Sequence, residues 1–394
     1  MKTFLQFFLT VLLLIAVPTS CKNSKTKTEN RIITFDLKEL PEPATLKLSD
    51  LGATDIQYIP LETTGQSVIP GIRNIIRSKS FFLTHYSTNI NMFRHDGSFV
   101  TKIGTIGRGP NEFTLAHDVD VDPKSESVYL ADGWQQKFLV FSKNGELVRT
   151  FKSPQAGAVN FRLTDDGILI YYSNPMGTIE NSFILLDTAG NIIKNFPNKY
   201  PWKRTIPNVA FLGENLFYRF NNQLFKKEIY CDTIYVFEDK DFKPHLTIDA
   251  GKLRITPEIR TEATAEFIMQ NFLHPMNLFE FADYIYYEFV IPRNGRGEGL
   301  SFIGSKKDNF RALFDPEKDL INDLDGGPVF WSKTIWDDNT LVSWIDALKL
   351  KTWVSSEDFK NSTPKYPQKK KELEKLAENL KETDNPVLIL VKIK

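Results

Sequence analysis

The chain has 394 residues, and its 49 Lys plus Arg balance 49 Asp plus Glu. There is no net field to draw in nucleic acid or anionic lipid, which disfavours a nucleic-acid role. The length exceeds the usual limit of a single core, which points to a repeated architecture whose units each keep a small core of their own.

The first 20 residues read as an export signal, with Lys2 as the positive region, Phe4 to Val17 as the apolar stretch and Pro18-Thr19-Ser20 as the small residues before Cys21. The apolar stretch is too short to span a bilayer comfortably, so cleavage is expected. Cys21 directly after Ser20 resembles the lipobox of bacterial lipoproteins. That resemblance implies an acylated Cys21 and stable anchoring in the membrane. The polar stretch through residue 30 (KNSKTKTEN after Cys21) reads as a tether. It lacks an acidic run, which favours a periplasm-facing protein over a surface-exposed one.

The body, residues 31–394, opens with a short extended piece (RIITFDL) and a linker punctuated by Pro41 and Pro43. A solitary strand follows at Thr54 to Glu62. Then comes a unit that recurs: an apolar strand, a tight turn ending in Gly, and an alternating strand, as in MFRHDGSFVTKI, VFSKNGELVRTF and LLDTAGNIIKNF. The turn glycines Gly97, Gly145 and Gly190 recur at intervals of about 45 to 50 residues, the spacing of propeller blades. Further strand groups fall near residues 211–249, 279–314 and 329–350. Two helices interrupt them, one from Thr256 to Phe272 with Thr256 as its cap, the other at QKKKELEKLAENLKET. The chain ends on the apolar strand NPVLILVKIK. The expected fold is an all-β, six-bladed β-propeller with two short inserted helices, its ring closed by pairing of strand 54–62 with the C-terminal blade.

The segments IPLETT, KIGTIGRGPNEF, DVDVDPKSESVYLAD and NPVLILVKIK together resemble the six-bladed β-propeller lipoproteins of Bacteroidetes, relatives of the NHL-repeat propellers. The resemblance covers nearly the whole mature chain. It implies a fold and an envelope location, and it says little about activity, because fold does not dictate function.

Two glycine-flanked arginines are the candidate ligand-binding residues: Arg108 with Glu112 in GTIGRGPNEF, and Arg296 with Glu298 in RNGRGEGLSF. Either pair reads as a loop-fixing ion pair or as a fork presented to an axial channel. No phosphate-loop Gly-Lys-Ser/Thr follows the first of them. Asp118, Asp120 and Asp122 lack the Gly and distal Glu of a calcium loop, and their alternation with Val119 and Val121 reads as solvent-facing carboxylates on one strand face. The five histidines show no metal-ligand spacing, Cys231 reads as a small buried hydrophobe, and no cofactor is indicated. The preferred functional reading is a monomeric, non-catalytic envelope protein that binds a glycan, peptide or protein partner. The alternative is a metal-dependent hydrolase or lyase of the sugar-lactonase kind, with its site in the axial channel.

Overall fold

Gly97, Gly145 and Gly190 all adopt positive φ (89°, 85° and 97°), so each hairpin turns where only a residue without a side chain is unstrained. At Gly97 a Cβ would also collide with the Pro60 carbonyl. The structure is a computed structural model, and it describes residues 32–38, 40–204, 211, 213–293 and 296–394. The export signal, Cys21 and the tether lie outside the described residues.

Around these turns the chain builds six antiparallel sheets of four strands, sequential in all but the last, beside a small parallel pair of Leu46–Lys47 with Leu320–Ile321. Sheet I comprises Asn74–Arg77, Phe82–Tyr86, Asn89–Phe93 and Phe99–Lys102. Sheet II comprises Asp118–Val121, Val128–Asp132, Lys137–Phe141 and Leu147–Lys152. Sheet III comprises Ala158–Thr164, Gly167–Tyr172, Asn181–Leu186 and Ile192–Pro197. Sheet IV comprises Asn215–Phe220, Gln223–Glu228, Thr233–Glu238 and Asp241–Asp249. Sheet V comprises His274–Phe281, Tyr284–Arg293, Arg296–Ser305 and Arg311–Phe314. Sheet VI takes Thr334–Asp337, Thr340–Ile345 and Val387–Ile393, and its fourth strand is Ala53–Pro60, with Leu390 opposite Gln57. The architecture is propeller-like. The first strand of sheet VI contacts that of sheet I, and Ile59, Phe82, Phe93 and Leu388 share one apolar cluster between these two sheets.

Several elements differ from the sequence reading. The short extended piece RIITFDL has a partner the sequence reading did not give it, because Ile33–Asp36 adds a fifth, parallel strand to the outer edge of sheet IV. Fully buried Phe35 fixes it there, with its ring 5.8 Å from that of Phe302. The helix expected from Thr256 to Phe272 is two, α1 (Pro257–Glu262) and α2 (Ala265–Asn271). Ala263 ends the first, and Thr264 caps the second by accepting from Phe267 N.

The tail of the expected sixth-blade strands is helical as well, forming α3 (Ala347–Ser355) and α4 (Glu357–Asn361) before α5 (Pro367–Asn379). These three helices form an insert between the second and third strands of sheet VI, packed around Leu350, Phe359 and Leu373. The helix count therefore exceeds the expected two. Among the described residues, no helix is long and apolar enough to cross a membrane.

Candidate axial site

The first strands of all six sheets line one cavity of about 520 Å³. A second cavity, of about 390 Å³, lies where the first strands of sheets II, III and IV begin, and Arg73 lines both. The larger one is called the channel cavity below and the smaller one the entry cavity.

Sheet II supplies the channel with its anchors. In Asp118-Val119-Asp120-Val121 the valines enter the core between sheets, which turns both aspartates to the opposite face. That face is not solvent, for Asp118 is 2% and Asp120 3% exposed. The expectation of solvated carboxylates fails because each one meets the unpaired edge of sheet III and an arginine. Asp118 accepts from Phe161 N at 3.0 Å and from the Arg162 guanidinium at 2.6 Å. Asp120 accepts from Leu163 N at 2.8 Å and takes both arms of Arg219 at 2.8 and 3.2 Å. Arg219 also donates to the Leu163 carbonyl at 2.6 Å, so three sheets are tied through one fork. Burial would lower the Arg162 pKa, but Asp118 and Asp120 beside it raise it above the ordinary value. Asp122 only closes a turn, accepting from Lys124 N and Ser125 N.

Arg73, just ahead of sheet I, and Arg77, at the end of its first strand, are exposed side chains in the same cavity wall, and Arg77 lies 5.5 Å from the Trp336 ring. Lys333 lines the cavity too, with its ammonium over the Trp331 ring. Burial lowers its pKa to about 7, against the opposing pull of Glu288. Behind the wall, Glu280 accepts from Lys306 at 2.6 Å, from Tyr218 at 2.8 Å and is 2.8 Å from His245 Nε2. Burial would raise the Glu280 pKa, yet the His245 hydrogen bond and the Lys306 charge bring it below the ordinary carboxylate value.

The residues singled out in the sequence sit elsewhere. Arg108 is exposed on the loop between sheets I and II, while Glu112 folds back to accept from Gly109 N at 2.8 Å and presses on Gly107, where a Cβ would collide with it. Arg296 is exposed in the third strand of sheet V, and Glu298 lies 3.6 Å from Arg293. None of the four lines either cavity. The histidines are likewise dispersed, and among the described residues no three His, Cys, Asp or Glu side chains could hold a metal ion. The arginines that do line the channel left a trace in the sequence. Each is a charge inside an otherwise apolar first strand, as in IRNIIR, NFRLT and LFYRF.

A family model described as domain of unknown function DUF4934 matches residues 32–392. None of the curated proteins matches the chain. Among solved structures, a protein from Bacteroides fragilis named as exported is 18% identical, with a TM-score of 0.71 over 92% of this chain and 99% of that one. A member of the DUF4221 family from Bacteroides vulgatus is 11% identical, with a TM-score of 0.52 over 87% of this chain and 97% of that one. At such identities the likeness is one of fold.

Proposed function

The chain belongs to the DUF4934 family, and we propose that it is an exported lipoprotein of the cell envelope whose six sheets act as the blades of a closed propeller and whose channel binds an anionic, polyhydroxylated ligand without transforming it. One observation carries the binding reading. Four arginines, Arg73, Arg77, Arg162 and Arg219, line a single cavity, and two of them are held rigid by buried aspartates. Forks fixed in advance lose little freedom on meeting a carboxylate or sulfate, and Trp336 offers a flat apolar wall beside them.

Oligogalacturonides and sulfated disaccharides are suitable probes in a thermal-shift screen. A ligand at about 100 times its dissociation constant adds roughly 2.7 kcal/mol to stability. Arg73→Ala and Arg77→Ala remove exposed side chains, so the unliganded melting temperature should stay near the parent's while the ligand-induced shift shrinks. A shift that survives in the double variant rejects the channel as the site.

The N-terminal signal supports the envelope location, and so does the export named for a relative of like fold. Cys21 carries the anchor in this reading, with the propeller facing the periplasm as a monomer. Cys21→Ser should move the protein from the membrane fraction to the soluble one. An unchanged distribution on fractionation would remove the lipid anchor from the proposal.

A further inference from the structure

The entry cavity contains a buried amide with nothing to bind. Asn215 begins the first strand of sheet IV, is 4% exposed and lines this cavity, yet among the described residues neither its Nδ2 nor its Oδ1 has a hydrogen-bond partner. Its neighbours are satisfied: Glu214 lies 3.0 Å from Arg260, and Tyr171 donates to Glu214 at 3.4 Å. A buried amide left unpaired on both sides destabilises a fold, and buried polar groups are nearly always partnered. An apolar residue of similar size would fit this strand without that cost. The amide is therefore better explained by something that enters the cavity than by the fold.

A second observation stands beside it. Trp134 is 75% exposed and packs edge-on against His117, a residue of the cavity wall, at 5.4 Å between ring centroids. The turn that carries it is fixed, because His117 Nδ1 accepts from Gly133 N at 3.1 Å and Asp132 accepts from Gln135 N at 3.0 Å. An exposed indole carried on a fixed turn beside a cavity offers a flat apolar platform. Tyr86 and Phe211 add further ring surface to the wall.

We propose that the entry cavity is a second binding site, for a neutral saccharide. A carboxamide donates through Nδ2 and accepts at Oδ1, which matches two neighbouring hydroxyls of a sugar ring, each of which both donates and accepts. The indole face covers the apolar C–H face of such a ring. Of the basic side chains that line the channel, only Arg73 also lines this cavity. The inference rests on the reading above only in taking a glycan as the class of ligand. Asn215 and Trp134 play no part in the channel.

The test measures calorimetric binding and thermal shift of the mature chain with maltose, cellobiose and diacetylchitobiose as neutral probes, a digalacturonide as the acidic one and trialanine as a peptide control. At least one neutral disaccharide should stabilise the parent. Trp134→Ala should keep the unliganded melting temperature and weaken that disaccharide roughly tenfold. Asn215→Leu should melt at or above the parent's temperature, because an orphaned polar group is gone, and should lose the disaccharide shift. Both variants should keep any digalacturonide shift. The proposal is overturned if no neutral disaccharide binds, if both variants bind it as the parent does, or if trialanine alone gives a shift that Asn215→Leu abolishes. A strongly lowered melting temperature for Asn215→Leu would also overturn it, by showing that the amide serves the fold. Should the disaccharide bind while the digalacturonide does not, the channel reading fails and this one stands.

Discussion

Among single residues, Lys333 connects the channel's wall to its pH response. Its pKa, lowered by burial to about 7, lies below the unfolded value of about 10.4. Between those two values the native state binds fewer protons than the unfolded one, so this group's contribution to stability rises with pH across that window and is least favourable below it. Lys333→Met should therefore flatten the stability–pH curve above pH 7 and raise the melting temperature most near pH 6. The same titration bears on the ligand. An anion in the channel meets a charged Lys333 at pH 6 and a largely neutral one at pH 8, so oligogalacturonide affinity should fall across that interval in the parent and stay flatter in Lys333→Met. Parallel pH profiles for the two proteins would show that Lys333 does not face the ligand. The aspartates of the channel teach a related lesson. Alternation in DVDV correctly separates core-facing valines from the other face, but alternation alone cannot say whether that face meets water or the edge of a neighbouring sheet. Arg162 and Arg219 decide the matter, and both lie more than 40 residues further along the chain.

At the level of elements, legibility follows how local the cause is. The hairpins around Gly97, Gly145 and Gly190 could be read because a tight turn and two alternating flanks are contained within about a dozen residues. The stretch Ile33–Asp36 could be read as extended but its place could not, because its partner Leu246–Asp249 is distant and parallel, and an edge strand needs little pattern of its own. In the stretch from Thr256 to Phe272, helical spacing is correct throughout, yet Thr264 offers its hydroxyl to Phe267 N and so favours a new cap over a continued helix. For IDALKL the apolar alternation is compatible with either period, and packing decides. Ala347 and Leu350 bury against Phe359 and Leu373 of α4 and α5, a contact that only a helix presents. The candidate site was the least legible part. Glycine-flanked arginines attract attention in a sequence, but the glycines beside Arg108 serve loop closure around Glu112 and Arg296 begins a strand away from the cavity, whereas Arg162 and Arg219 are set in strands that line it.

For the whole molecule, the question is what holds the first and last sheets together. Ala53–Pro60 lies along Val387–Ile393, and the chain just beyond it reaches sheet I, where Glu62 N donates to the Gly97 carbonyl at 2.9 Å and Glu62 Oε2 accepts from Phe99 N at 2.7 Å. Ile56, Ile59 and Leu61 of this segment are buried, and at about 1.5 to 3 kcal/mol each their exposure amounts to a large part of a domain's total stability. If the ring is closed by this strand, deleting Thr54 to Glu62 should leave Val387–Ile393 as an open edge with unpaired donors and acceptors, and the protein should melt far below the parent and tend to aggregate. Loss of apolar burial alone would have the same first effect, so deletion by itself does not isolate closure. Supplying the strand as a synthetic peptide of residues 53–62 does. An open edge accepts a strand in trans, and the peptide should restore the melting temperature saturably, while a peptide with Ile56 and Ile59 changed to Asp should not. A deletion variant that melts like the parent would mean that the seam is held elsewhere. One that is destabilised but blind to the peptide would mean that the strand is a covering segment and not the closing element.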